Sequence, residues 1–155
     1  MTDFSNLLRP DTVQTGVGAN AKKTLFQQIG ALAEAQVGID ARLVAERLAD
    51  RERLGSTGFG GGVAIPHAKF DGLAAVTGVF VRLAQPIDFD AVDAMPVDLV
   101  FALLSPTDAG GEHLKALARV SRQLRDPQFL AKLRGAGSRD ALWALFTADA
   151  ARDAG

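Results

Sequence analysis

Two short apolar runs in the second half of the chain constrain its fold more than any other feature. Ala75 to Leu83 is rich in valine, and Val97 to Leu104 reads Val-Asp-Leu-Val-Phe-Ala-Leu-Leu. Neither run alternates apolar and polar residues as a strand with one wet face would, so both predict strands covered on both sides. The apolar run Leu99 to Leu104 is far too short to cross a bilayer.

Segments with apolar residues at helical spacing lie before and after these two strands in the sequence. A brief strand is expected at Thr12 to Thr15. Asn20 is expected to cap a first helix that Gly38 ends, and Asp40 to cap a second helix that ends near Arg51. The apolar stripes of these two helices are Leu25, Ile29 and Leu32 in the first, and Leu43, Val44 and Leu48 in the second.

Three further helical pieces follow the second apolar run. The first runs from about Gly111 to Leu124, a short one follows Pro127, and Ser138 caps the third. Between the two strands, Gln85 to Pro96 is expected to be short strand or loop. Helices before and after the strands predict an α/β fold in which helices cover both faces of one sheet.

The amino-acid composition is typical of a globular protein. Its 155 residues suit a single domain, 48% of them are hydrophobic and 23% charged, and the net charge of −1 gives no reason to expect nucleic acid as a partner. The absence of cysteine excludes disulfides, thiolate catalysis and zinc–thiolate sites. The N-terminal residues lack the basic start and following apolar run that are typical of a signal peptide. A cytoplasmic location is therefore expected.

The glycine-rich segment from Gly55 to His67 carries the first chemical hypothesis. It reads Gly-Ser-Thr-Gly-Phe-Gly-Gly-Gly-Val-Ala-Ile-Pro-His, which places five of sixteen glycines and one of two histidines in thirteen residues. Backbone N–H groups of such a loop can form a concavity for an anion, and Pro66 limits how the histidine is presented. A histidine with only a packing role would not need these neighbours, so phosphate chemistry on His67 is the first interpretation.

The same segment, extended back to Arg51, resembles the active-site signature of phosphotransferase-system IIA proteins. It is most similar to the fructose/mannitol family and, within it, to the nitrogen-regulatory branch. The resemblance covers nearly the whole chain, from Asp3-Phe4-Ser5-Asn6-Leu7-Leu8 through Lys22-Lys23 to Gly111-Glu112-His113-Leu114. It implies the mannitol-type IIA fold, with a single domain over residues 1–150, a mixed sheet of about five strands, and a loose tail at residues 151–155.

The resemblance also implies roles for two histidines. His67 would accept a phosphoryl group on Nε2, while an acceptor such as a backbone carbonyl holds its other nitrogen. His113, 46 residues later, matches the family's second active-site histidine and would donate a hydrogen bond to the phosphoryl group. The alternative for His113 is a partly buried histidine that only packs near a helix end.

The remaining site residues are assigned with alternatives left open. Arg51 matches the family's active-site arginine and would neutralise phosphate charge, with Arg53 as the competing candidate. Ser56 and Thr57 either donate their hydroxyls to the phosphoryl group or turn the loop. The remaining phosphate-loop candidates are Gly58, Gly60 and Gly62. An apolar surface for a partner is expected from Phe59, Val63, Phe70 and Leu73.

No metal or other cofactor is expected. The acidic residues Asp88, Asp90, Asp93 and Asp98 lack the spacing of a calcium-binding loop and are interpreted as solvated loop surface. A metal-dependent hydrolase built on the two histidines would be short of ligands. It stays as a minor alternative.

Two related functions fit the resemblance. The chain is expected to take a phosphoryl group from a histidine phosphocarrier of the HPr or NPr type and to act as a regulatory switch. Its implied targets are proteins such as potassium transporters or sensor kinases. The alternative is a sugar-specific IIA component that passes phosphate to a transporter IIB domain.

Overall fold

A computed structural model describes residues 3–147 of the chain. The expected tail at residues 151–155 lies outside the described residues. The described residues form six strands and five α-helices in this order: β1 Val13–Val17, α1 Lys22–Val37, α2 Ala41–Arg53, β2 Gly58–Gly60, β3 Val63–Ala64, β4 His67–Phe70, β5 Thr77–Ile87, β6 Val97–Pro106, α3 Gly111–Gln123, α4 Pro127–Gly135 and α5 Arg139–Phe146.

All six strands belong to one mixed sheet, which confirms the α/β fold class. The strand order is β1-β5-β6-β3-β2, and β4 also pairs with β6. Strand β5 runs antiparallel to β6, whereas β3 and β4 run parallel to it. The sheet has six strands, and not about five, because the glycine-rich segment forms the short strands β2 and β3.

Both faces of the sheet are covered, as the two apolar runs predict. Alternate residues of β6 belong to two separate cores. Leu99, Phe101 and Leu103 pack with apolar side chains of α3, α4 and α5. Val100, Ala102 and Leu104 pack on the opposite face with side chains of α1 and α2. All six residues are fully buried, so β6 anchors both halves of the molecule.

Three of the four residues predicted to cap or close a helix are confirmed in that position. Gly38 ends α1 in the left-handed conformation with φ of 74°. Asp40 and Ser138 cap α2 and α5, each accepting a hydrogen bond from a backbone N–H. The prediction for Asn20 is wrong, because α1 begins one residue later, at an Ala21 N-cap. The Asn20 amide oxygen instead accepts a hydrogen bond from the Thr24 hydroxyl.

Strands β3 and β4 form one interrupted line along β6. Val63 pairs with Leu99 and His67 pairs with Leu103, so the register is the same on both sides of the interruption. The interruption falls at Pro66, which has no N–H to donate to a ladder. The Pro66 carbonyl still accepts a hydrogen bond from the Leu103 N–H at 2.9 Å. The backbone at His67 is therefore held against β6, the central strand of the sheet.

Candidate functional site

His67 is the first residue of β4, and its ring is half-buried. Its Nδ1 lies 2.8 Å from the carbonyl oxygen of Ile65. A carbonyl oxygen can only accept a hydrogen bond, so Nδ1 carries the ring hydrogen and Nε2 is the unprotonated nitrogen of the neutral ring. The Ile65 N–H donates to the carbonyl of Thr57, the residue just before β2, and this hydrogen bond holds the short segment in place.

The surroundings of His67 favour its neutral form. Burial lowers the pKa of His67 below its ordinary value, and the positive charge of Arg51 lowers it further. The hydrogen bond to Ile65 and the negative charge of Glu52 act in the opposite direction. Because the pKa is lowered overall, the ring keeps an unprotonated nitrogen at neutral pH.

His113 is the third residue of α3, and its ring faces that of His67. The two ring centroids are 5.7 Å apart, with the planes tilted by 47°. His113 is buried, and its Nδ1 lies 2.6 Å from the hydroxyl oxygen of Ser105 on β6. Burial lowers the pKa of His113, and a positive charge on His67, when that ring is protonated, or on Lys69 lowers it further. The structure thus brings together two histidines that are far apart in the sequence.

Arg51, and not Arg53, is the arginine associated with His67. The Arg51 guanidinium donates to the carbonyl of Gly55 at 2.9 Å and lies close enough to His67 to lower its pKa. Arg53 pairs with Asp50 one turn earlier in α2, and both side chains are exposed. Of the two candidates that the sequence leaves open, the structure therefore favours Arg51.

The hydroxyl hydrogens of Ser56 and Thr57 are both used in hydrogen bonds to neighbouring parts of the chain. The Ser56 hydroxyl donates to the carbonyl of Phe89 at 2.7 Å and accepts from the N–H of Gly58. The Thr57 hydroxyl donates to Glu52 at 2.6 Å. A hydroxyl has a single hydrogen to donate, so the structure favours the loop-turning role for both residues.

Glu52 is a further residue of this region, and no sequence motif singles it out for a role. Its buried carboxylate accepts hydrogen bonds from the N–H and hydroxyl of Thr57, and it pairs with the ammonium group of Lys22 at 2.8 Å. Glu52 thereby ties the end of α2 to the start of the glycine-rich segment. Its position beside Arg51 is the only signal in the sequence, and that signal does not indicate burial.

The structure does not bring all of the predicted phosphate-loop glycines to His67. Gly58 begins β2, and its N–H is bonded to the Ser56 hydroxyl. Gly60 and Gly62 flank the turn between β2 and β3, with φ of 112° and 80°. That turn lies next to Leu99, four residues before the position on β6 that pairs with His67, or roughly 13 Å away at strand spacing.

The prediction that Gly60 and Gly62 cradle the phosphoryl group is therefore wrong in position. Positive φ explains both glycines. In addition, a Cβ on Gly62 would collide with the Arg134 guanidinium.

Two acidic residues help to hold this turn. Asp93 is exposed in a loop, as predicted, whereas Asp98 is half-buried on β6 and departs from the prediction of solvated loop surface. Asp93 accepts a hydrogen bond from the Gly61 N–H at 3.0 Å. Arg134 donates to the Gly61 carbonyl at 2.7 Å and forms an ion pair with Asp98 at 2.8 Å. Within residues 3–147, no three His, Asp or Glu side chains are grouped closely enough to hold a metal ion.

The predicted apolar surface is wrong in two of its four members. Val63 and Phe70 are fully buried in the two cores. Phe59 is partly buried with Arg125 over its ring, and Leu73 is also partly buried. Two exposed apolar side chains instead lie close in the sequence to the site residues: Leu54, which follows the helix of Arg51, and Leu114, which follows His113. They are 84% and 67% exposed.

Comparison with known proteins gives consistent results. Residues 6–149 match the family described as phosphoenolpyruvate-dependent sugar phosphotransferase system, EIIA 2. The nitrogen regulatory protein of Bradyrhizobium diazoefficiens is 44% identical over 142 residues, which cover 92% of this chain and 93% of that protein.

Solved structures agree with these relatives. The nitrogen regulatory protein IIA-Ntr of Neisseria meningitidis superposes with a TM-score of 0.82 at 36% identity, covering 92% of this chain and 97% of that one. The mannitol IIA of Escherichia coli shares the fold, with a TM-score of 0.72 at 20% identity and coverage of 87% and 96%. No helix among the described residues is long and apolar enough to cross a membrane. The family match and these relatives show that the chain belongs to the EIIA type 2 family of the phosphotransferase system, and over nearly its whole length it is similar to the nitrogen regulatory proteins of that family.

Proposed function

We propose that the chain is a nitrogen-regulatory IIA phosphocarrier of the cytoplasm. It accepts a phosphoryl group on Nε2 of His67 from a histidine phosphocarrier of the HPr or NPr type, in a relay driven by phosphoenolpyruvate. The observation that carries the proposal is the hydrogen bond between Nδ1 of His67 and the Ile65 carbonyl, since it leaves Nε2 as the nucleophile.

The chemical step needs alignment and charge stabilisation more than further covalent chemistry. The Nε2 lone pair attacks phosphorus as the bond from phosphorus to the donor's histidine nitrogen breaks, and that nitrogen recovers its electron pair. The hydrogen on Nδ1 stays in its bond to Ile65. Arg51 balances the negative charge of the phosphoryl group, and His113 donates a hydrogen bond to one of its oxygens.

Leu54 and Leu114 support a docking role for the surface around the site. Both are exposed apolar side chains, and they follow Arg51 and His113 closely in the sequence. Apolar contacts beside a charged centre suit a transient interface that must form and separate at each transfer. We therefore propose that the donor phosphocarrier docks on these two leucines.

The output proposed for the phosphorylated state is regulatory. Phosphorylation adds about two negative charges at His67, which makes or breaks complementarity with target proteins such as potassium transporters or sensor kinases. The second candidate is a sugar-specific IIA component, favoured by the words "sugar phosphotransferase system" in the description of the family. Chase of a radiolabelled phosphoryl group separates the two, because a sugar-specific component must pass the label through a IIB domain to a sugar.

The test of the proposal is reconstitution with phosphoenolpyruvate, enzyme I and its histidine phosphocarrier, read by intact mass. We expect the gain of one phosphoryl group that is labile in acid and absent in His67→Ala. Both sugar-type and nitrogen-type donor systems should be tried. Absence of uptake from both, in a protein that is folded by circular dichroism, would refute the proposal.

A further inference from the structure

Ser105 is a buried polar residue at a position where the sheet otherwise carries apolar side chains. Leu99, Phe101 and Leu103 alternate along β6 on the face covered by α3, α4 and α5. Ser105 continues this alternation on the same face and is 0% exposed. Burial of a hydroxyl group costs free energy unless the group is hydrogen-bonded. A specific partner must therefore account for this serine.

The partner is His113. The Ser105 hydroxyl oxygen lies 2.6 Å from Nδ1 of His113, and the described residues offer the hydroxyl no other hydrogen-bonding partner. Two arrangements fit this distance. Either the hydroxyl donates to an unprotonated Nδ1, or a protonated Nδ1 donates to the hydroxyl oxygen.

The first arrangement is favoured because it uses the hydroxyl hydrogen. If Nδ1 donated instead, the hydrogen of Ser105 would have no acceptor among the described residues, in a position closed to solvent. An unsatisfied buried donor costs more than an unused lone pair on an oxygen that already takes part in one hydrogen bond. Ser105 is therefore the donor, and the hydrogen of the neutral His113 ring is on Nε2.

The Nε2 atom of His113 is the ring nitrogen that remains available to donate a hydrogen bond. The described residues give it no hydrogen-bonding partner, and none of their fully buried side-chain nitrogens or oxygens lacks one, so Nε2 is at least partly accessible to solvent. The ring that carries it faces His67. We propose that Ser105 is a positioning residue that fixes His113 as its Nε2–H tautomer, so that this nitrogen donates a hydrogen bond to the phosphoryl group on His67. The role of this tautomer in phosphoryl transfer rests on the proposed function, whereas the assignment of the tautomer does not depend on that function.

The first test reads the tautomer directly in the unphosphorylated protein. The chain has two histidines, so selective ¹⁵N labelling of histidine gives a simple spectrum, assigned with His67→Gln. At pH 7.5 we expect a pyridine-type Nδ1 and a pyrrole-type Nε2 for His113. The opposite pattern in the wild-type protein would overturn the proposal without any variant at Ser105, and whether the protein accepts phosphate does not affect this reading.

Variants then test whether Ser105 is the cause. Ser105→Ala should give a mixture of His113 tautomers, whereas Ser105→Thr, which keeps the hydroxyl, should restore the wild-type pattern. Thr77→Val is the matched control, because Thr77 is a buried hydroxyl residue on the neighbouring strand β5 whose hydroxyl donates to the Ala75 carbonyl. An unchanged tautomer in Ser105→Ala would overturn the proposal.

A kinetic reading completes the test. We expect Ser105→Ala to slow phosphoryl uptake by about two- to tenfold, the range of one lost hydrogen bond, and Thr77→Val to leave the rate unchanged. In a His113→Gln background, Ser105→Ala should have no further effect, because its target is gone. Equal slowing in both backgrounds would show that Ser105 acts on packing and not through His113.

Discussion

The two histidines of the site are held by different kinds of group. Nδ1 of His67 is bonded to a backbone carbonyl, whereas Nδ1 of His113 is bonded to the side chain of Ser105. No substitution of Ile65 removes its carbonyl, but a single substitution removes the Ser105 hydroxyl. The fold itself therefore sets the tautomer of the proposed acceptor, while one side chain sets that of its helper.

The largest expected difference between the two histidines is in phosphoryl uptake itself. His67→Ala should abolish the mass gain in the reconstituted relay, because the nucleophile is absent. The fold should persist, since the His67 side chain belongs to neither buried core. Retained phosphorylation on the same segment in this variant would refute the assignment of His67.

His113→Ala should slow uptake and leave its end point intact. Removal of one preorganised donor to a charged transition state costs about 10²-fold in rate, so we expect a slower reaction that still reaches one phosphoryl group per chain. Rapid-quench kinetics with the phosphocarrier in excess measures the effect. Wild-type rates would return His113 to a packing role.

Glu52 adds to the comparison of the two histidines because its hydrogen bonds hold the start of the glycine-rich segment that leads to His67. Glu52→Ala should lower the free energy of unfolding by about 2–4 kcal/mol, since it leaves the two Thr57 donors without their acceptor and removes the nearer of the two carboxylates paired with Lys22. Urea unfolding measures this loss. Glu46→Ala, an exposed glutamate on the same helix, is the control and should change stability by less than about 0.5 kcal/mol. Equal effects of the two substitutions would contradict a structural role for the Glu52 carboxylate.

Leu114→Asp tests the surface beside His113. The substitution replaces an exposed apolar contact by a charge, so we expect a several-fold higher KM for the phosphocarrier, with little change in the free energy of unfolding. Val37→Asp alters an exposed apolar side chain at the last residue of α1 and serves as the control. A rise in KM for Val37→Asp alone would place the docking surface elsewhere.

The smallest expected effect is on the pH dependence of stability. Burial lowers the pKa of both histidines, so the folded chain binds fewer protons than the unfolded chain just below the ordinary value of about 6.5. Stability should therefore be full above that pH and should fall as the pH drops below it. Urea unfolding at pH 5.5 and 7.5 measures this change, and the double variant His67→Gln, His113→Gln should reduce it. An identical pH dependence in the double variant would assign the change to other groups.

Sequence patterns predicted the framework of this fold well, because its signals are local. The left-handed Gly38, the Asp40 and Ser138 caps and the uninterrupted apolar runs each depend on a few neighbouring residues. The pairing of His67 with His113 depends on a long-range contact, and only the resemblance to a family indicated it.

The remaining features of the site depend on tertiary partners that sequence patterns do not specify. A glutamate beside an arginine carries no mark of burial, and a serine at the end of an apolar run resembles the start of a turn. Glycine clusters have two physical explanations, an anion-binding loop and a turn with positive φ. For Gly60 and Gly62 the second explanation accounts for the structure.

The unbroken register of β3 and β4 along β6 has a consequence for any protein that must sense the phosphorylated state. His67 lies on β4, which is paired with β6, the strand that anchors both cores. We therefore expect phosphorylation to change the local electric field far more than the shape of the backbone. Such a field is screened over about 8 Å at physiological ionic strength. A partner that distinguishes the two states must therefore bring a charged group of its own within about that distance of the imidazole.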